Sequence, residues 1–301
     1  MSKTVFVPAG TGKQGSVVTK ALLDRGYTVH VTTRNPSSSS AKELQSKGAV
    51  LHEGGLDSAK TLEAAAEQAD ALFLAIRADP TDEDLEIRYA KSIIEAARKK
   101  GVKTIVYTSV ARTGEHESFP GWGDDFPLAW YWKNKHIIEE LVRTAGFENW
   151  TIFRPAFFNN NFVVPDVDFM FPDLARKHLL QLPFNRDTTL DLVSVEDIAR
   201  FVVAAIESPS TFAGKELGLA SEKLTAEQIA EQLSTISGHK VKVEYISDDQ
   251  VKLAKEQGNI VLDSYLWHRD VGYNVDIEAL KQYKLPLTPM SKDLNKDNLG
   301  W

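Results

Sequence analysis

The chain has 301 residues, enough to bury a substantial core as one large domain or two closely packed ones. Its 42 acidic and 35 basic residues leave a net charge of −7, which argues against a basic nucleic-acid-binding surface, because phosphate neutralisation needs clustered Lys and Arg. No cysteine is present, which excludes disulfides, zinc–thiolate sites, iron–sulfur clusters and cysteine nucleophiles.

Val5, Phe6 and Val7 read as a buried strand, followed by helical spacing at Val17, Val18, Ala21 and Leu22 that Gly26 ends. Residues 27–33 are β-branched and strand-like. The proline-marked serine run 35–40 is a polar loop, 41–47 a short helix and 49–52 a strand. Asp57 is placed to cap a helix reaching about Gln68, and 71–76 is an apolar strand. Thr81 and Asp84 have capping-box spacing ahead of a helix whose Ala90, Ile93, Ile94 and Ala97 share one face. Gly101 stops that helix, and 104–109 forms the next strand. Strands alternating with helices at this spacing predict an α/β fold, a doubly wound parallel sheet covered on both faces.

The second half is less regular. A helix is expected over 129–144, a strand over 151–154 ended by Pro155, and loops with a short helix over 156–190. A helix over 197–206 follows. Thr225 and Gln228 form a capping box before Ile229, Leu233 and Ile236, and Val241, Val243 and Tyr245 alternate as a strand. These elements place residues 1–155 in a dinucleotide-binding domain to which 188–220 return. Residues 156–187 and 221–301 form a smaller, irregular substrate-closing region. Within 251–301, Trp267 and His268 read equally as substrate-facing or packed. The longest apolar runs, 71–76 and 201–206, are too short to cross a bilayer, and Met1-Ser2-Lys3 leads straight into a strand. The expectation is a cytoplasmic protein with neither membrane nor nucleic acid as partner.

The most informative stretch is Gly10-Thr11-Gly12-Lys13-Gln14-Gly15. It matches G-x-G-x-x-G directly after a strand and at the opening of a helix, the context that gives the motif meaning. Such glycines permit a tight turn, close backbone approach to a pyrophosphate and tight helix–strand packing, while the helix N-terminus offers free N–H groups. A triphosphate loop ending at Gly12-Lys13 would need glycine at position 7 and Ser or Thr at position 14, where the chain has Val7 and Gln14. The bland alternative is a structural turn without a ligand. At the end of the second strand, Thr32-Thr33-Arg34-Asn35 carries no acid to claim the adenosine ribose. Arg34 is suited to a 2′-phosphate, with Lys13 as a second contact. This pattern predicts NADP(H); the bland alternative for Arg34 is a solvated strand end. Contacts at other strand ends add Ala75, Ile76, Ser109 and Pro155 to the candidate cofactor residues.

Several stretches together resemble the NmrA-like family, atypical members of the short-chain dehydrogenase group. They are "AGTGKQG" at the turn, "KHIIEELVRTAG" over 135–146, "WTIFRPAFFNNNF" over 150–162 and "VSVEDIA" over 193–199. The resemblance implies a Rossmann domain binding NADP(H) with a smaller part closing over the nicotinamide. It places Lys135 near the nicotinamide ribose and Asn161 in the cleft. The family often has Gly-Asp-Leu after the third strand, its Asp near adenine; here Gly55 stands at that position.

Tyr131 and Lys135, four apart on one helix face, match the Tyr-x-x-x-Lys pair of short-chain dehydrogenases. The expected chemistry is a phenol whose pKa falls beside the ammonium, so that Tyr131 exchanges a proton as hydride moves. A packed or surface Tyr131 is the alternative. Val110 occupies the position of the usual catalytic Ser, with Ser109 one residue early. Aromatic residues crowd 119–171. Trp122, Phe126, Phe158 and Asn161 are the candidate substrate-pocket residues, against a reading of plain core packing. Seven scattered histidines lack metal-ligand spacing, no G-x-S-x-G elbow is present, and Asp124-Asp125 reads as a solvated pair. Two functions remain open. One is an NADPH-dependent oxidoreductase acting on a small apolar carbonyl, enone or imine-like substrate. The other is a noncatalytic NADP(H)-binding redox sensor that acts through a protein partner.

Overall fold

The structure is a computed structural model describing residues 3–123 and 125–301, so Asp124 of the acidic pair lies outside the described residues. The chain forms two compact units. The first comprises Met1–Thr113, Trp130–Arg154 and Ile198–Leu217, the second Gly114–Ala129, Pro155–Asp197 and Gly218–Trp301.

In the first unit the order is β1 (Thr4–Val7), α1 (Lys13–Asp24), β2 (Thr28–Thr33), α2 (Ser39–Ser46), β3 (Val50–Glu53), α3 (Ala59–Ala66), β4 (Ala71–Leu74), α4 (Leu85–Lys99), β5 (Thr104–Thr108), α5 (Ala129–Thr144) and β6 (Asn149–Pro155). With strand Lys215–Leu219 at one edge beside β6, they build a seven-stranded Rossmann-type sheet that continues β5-β4-β1-β2-β3. Neighbours from β3 through β6 all pair in parallel. Every residue of β4 and β5 is buried, as a strand covered on both faces requires. Phe6, Leu72, Ile105 and the α5 residue Ile138 belong to one core cluster.

Two expected caps do not form as read. Ser58, not Asp57, caps α3, its side chain accepting from the Thr61 N–H. The Thr81–Asp84 box does not form, because the Thr81 N–H (2.9 Å) and hydroxyl (2.6 Å) both donate to Asp79 Oδ1. A carboxylate two residues upstream wins by forming a local turn, and α4 begins at Leu85 with Asp84 at the N-cap making no side-chain cap bond.

The second unit holds a three-stranded sheet in the order Glu222–Thr225, Thr189–Val193, Phe157–Phe158. It also holds a parallel pair, Leu179–Leu182 with Lys242–Tyr245. The stretch 156–190 is therefore more ordered than expected. A four-residue strand whose partner lies far along the chain leaves little local signal. Of residues 188–220, all expected with the first unit, 188–197 and 218–220 fall here instead; Thr189–Val193 pairs antiparallel with Glu222–Thr225. Residues 114–129 also fall in this unit. The Thr225–Gln228 capping box makes both its bonds. Asp197 of "VSVEDIA" accepts from the Thr288 N–H (2.7 Å) and hydroxyl (2.8 Å), tying the C-terminal segment to helix Val195–Glu207. Trp267 and His268 are both buried. Among the described residues no helix is long and apolar enough to cross a membrane, and no three metal-ligating side chains converge.

Candidate cofactor and active site

The glycine turn follows β1 at the carboxyl edge of the sheet. Arg34 follows β2, Gly55 follows β3, Ala75 and Ile76 follow β4, and Ser109 follows β5, so strand polarity brings all of them to that same edge. The glycines have separate reasons to be glycine. A Cβ on Gly10 would overlap the Val31 side chain of β2, and one on Gly15 would overlap the Ala9 carbonyl. Both positions seat α1 tightly against the sheet. Gly12 has more room: its Cβ would find only the Ala9 oxygen, at 3.2 Å. It is exposed, it is the N-cap of α1, and it carries no side-chain cap. The first turn of α1 also lacks an acidic residue. Its N–H groups and partial positive charge therefore face outward without an internal anion. Beside them Gln14 Oε1 is shut off from solvent without a donor. A buried acceptor of this kind fits a ligand that donates to it.

At the end of β2, Arg34 is exposed and no acidic residue lies between Gly26 and Ala41. The Asp57 carboxylate folds back into the space that a side chain on Gly55 would occupy. Sequence reading gave Asp57 to helix capping and missed this placement; the only signal was an acid two residues late.

Lys135 is buried on α5, and its Nζ lies 2.6 Å from Glu86 Oε1 on α4. Glu86 is wholly buried, and its second oxygen has no partner. Burial works against the Lys135 ammonium, but Glu86, Tyr107 and Glu139 together outweigh it and the pKa is pushed up to about 12. Tyr107 of β5 is wholly buried with an unpartnered hydroxyl. Tyr131 lies between Trp130 and Trp132, and the Lys135 ammonium sits 5.5 Å from its ring centroid. The expected tuning runs the other way: burial first, then the Glu86 carboxylate, raise the Tyr131 pKa. The ammonium already has a counterion, so its field does not favour a phenolate. Ser109 Oγ donates to Thr113 Oγ1 (3.1 Å), which donates to the Val110 carbonyl (2.8 Å), so the Ser109 proton is engaged within its own loop. Val110 itself is buried.

Glu86 was missed although a signal existed. It falls on the same stripe of α4 as Ala90, Ile93 and Ala97, and a carboxylate on a buried stripe requires a cation.

In the second unit, Trp122 and Phe126 come together with ring centroids 5.0 Å apart, and both stay partly exposed. Phe119, buried beside them, also contacts Trp267 at 5.6 Å. Phe119 is thus packed, while Trp122 and Phe126 keep part of their surface open. Phe158 and Asn161 are partly buried around the 3₁₀ turn Asn159–Phe162. Pro155, at the end of β6, is buried.

Residues 1–286 match the NmrA-like family. The chain belongs to it. A curated relative, the NmrA-like family domain-containing oxidoreductase malD of Malbranchea aurantiaca, is 26% identical over 260 residues, covering 80% of this chain and 74% of that one. Among solved structures, the triphenylmethane reductase of Citrobacter sp. superposes with a TM-score of 0.76 at 20% identity, covering 99% of both chains. NmrA, a negative transcriptional regulator crystallised with NAD, superposes at 0.75 and 19% identity, covering 96% of this chain and 93% of that one. The NmrA-like fold thus occurs both in a reductase and in a regulator.

Proposed function

We propose that this chain binds NADP(H) at the carboxyl edge of its Rossmann sheet and works as an NADPH-dependent oxidoreductase on a small, largely apolar acceptor such as a carbonyl, enone or imine. The observation that carries the binding half is the uncapped, acid-free start of α1 behind Gly10 and Gly15, with Gln14 Oε1 awaiting a donor. The first-turn N–H groups of α1 would hold the pyrophosphate. Arg34 and Lys13 would hold the 2′-phosphate, Asp57 would lie by the adenosine end, and Lys135 would donate to the nicotinamide ribose. When bound, NADPH supplies a hydride. The chain's own residues orient the acceptor and donate hydrogen bonds to it. Tyr131, with its raised pKa, stays a neutral phenol and serves as a donor to the acceptor oxygen or nitrogen.

A second reading, a sensor of NADP(H) acting through a protein partner, is favoured by one pair of observations. Tyr131 is tuned away from ready proton release, and the Ser109 proton is engaged elsewhere. Fluorescence titration with NADPH and NADH tests the cofactor; equal or tighter NADH binding overturns the NADP(H) preference. NADPH consumption against quinones, aldehydes and enones tests the reaction. Turnover that Tyr131→Phe removes while NADPH binding persists supports the enzyme. No turnover on any acceptor, with tight binding of both NADP+ and NADPH, favours the sensor.

A further inference from the structure

We propose that Glu86 is a positioning residue for Lys135: its carboxylate fixes the ammonium and keeps it charged, making Lys135 a permanent cationic donor to ligand hydroxyls rather than the group that activates Tyr131. The inference rests on the reading of Lys135 as a residue that faces the cofactor.

The two side chains come from α4 and α5 and meet at 2.6 Å with both buried, Lys135 exposing only 6% of its side chain and Glu86 none. That small opening belongs to the lysine, so Glu86 stands behind it. The groups facing the ammonium are Glu86 from α4, Tyr107 from β5, and Tyr131 and Glu139 from α5. Glu139 is already committed, since Arg154 holds both its oxygens and Arg143 shares one of them. Tyr107 and Tyr131 are neutral phenols. Glu86 is therefore the one carboxylate whose charge belongs to Lys135, and its unpartnered Oε2 shows that no other donor draws on it. An ammonium has three donors. One is held by Glu86, which fixes the others in direction. Position 86 also lies in the first turn of α4, where the helix dipole favours an anion.

The test is NADPH affinity of the full chain across about pH 6.5 to about 9.5, a window between ordinary His and Lys titration. Wild type should give a flat profile. In Glu86→Gln the buried ammonium loses its counterion, and affinity should fall about tenfold across the window, converging on that of Lys135→Met. Glu86→Gln/Lys135→Met should be flat and weak. A flat, wild-type-like Glu86→Gln profile overturns the proposal, as does a pH dependence that persists in the double variant. A second measurement needs no variant: the Lys135 ¹³Cε signal should show no titration below about pH 11, and an ordinary or lower midpoint overturns the proposal. Wild type that fails to bind NADPH at any pH counts against the cofactor reading, while the Lys135 titration still judges Glu86.

Discussion

Two ion clusters, each built around a buried carboxylate, share helix α5 one turn apart, and they differ in how completely that carboxylate is satisfied. Glu139 Oε1 accepts from Arg154 Nε (2.9 Å), and its Oε2 accepts from Arg154 Nη2 (2.6 Å) and Arg143 Nη2 (2.7 Å). Glu216, on the edge strand, accepts from both arginines at 2.6 Å. This closed network fastens α5, β6 and strand Lys215–Leu219 together. Glu86 and Lys135 form a single contact with one oxygen left over and unpartnered phenol chemistry beside it. A network in which every carboxylate oxygen has an arginine donor holds elements in place. A pair with spare capacity is what the proposed role of Lys135, a charge held ready for a ligand, requires. Residue choice agrees: arginine, which does not deprotonate, sits in the fixed network, and lysine, whose ionisation responds to its surroundings, sits in the other.

The contrast can be broken by removing each carboxylate in turn. Glu139→Gln removes the buried carboxylate that both arginines share and leaves Arg154, which cannot shed its charge, with Glu216 alone; it should cost about 3 kcal/mol of stability at every pH, read from urea denaturation. Glu86→Gln should cost less, about 2 kcal/mol near neutrality, because Lys135 can release its proton. The sign is definite: in this variant the folded lysine titrates below the unfolded one, so stability rises with pH through the region between the two values. Equal, pH-independent losses for the two variants would erase the distinction.

His268 extends the comparison to a buried group with no counter-charge at all. Burial among Phe157, Tyr265, Trp267 and Tyr273 pushes its pKa down to about 3. The folded state therefore holds His268 neutral. Stability should be unaffected by it above about pH 6.5 and should decline by about 1 kcal/mol per unit as pH falls toward the folded value. His268→Phe should flatten that acid limb in thermal melts. The smallest effect belongs to a site with no charge at stake. Thr225→Ala removes one side of the capping box on helix Ala226–Ser237 and should cost about 1 kcal/mol by denaturant midpoint.

Legibility followed the range of the interactions. Helix α4 was placed from its apolar spacing, and β1, the glycine turn and α1 from their order, because turn, cap and periodicity are written within a dozen residues. Leu179–Leu182 escaped notice because its partner strand, Lys242–Tyr245, lies far along the chain. Asp57 was assigned to a cap that its neighbour Ser58 takes, and its carboxylate went instead to the gap over Gly55. Tyr131 and Lys135 were legible as a pair, but the expected sign of their coupling was reversed by Glu86, 49 residues from the lysine in sequence.

The sequence by itself determined the family, the parallel α/β order and the edge of the sheet at which a dinucleotide can lie, because these depend on local pattern and on the polarity of strands. Only the tertiary structure decided the charge state around Tyr131. That depends on which side chains share a buried volume, and a carboxylate brought across from α4 leaves the lysine already matched and the phenol neutral.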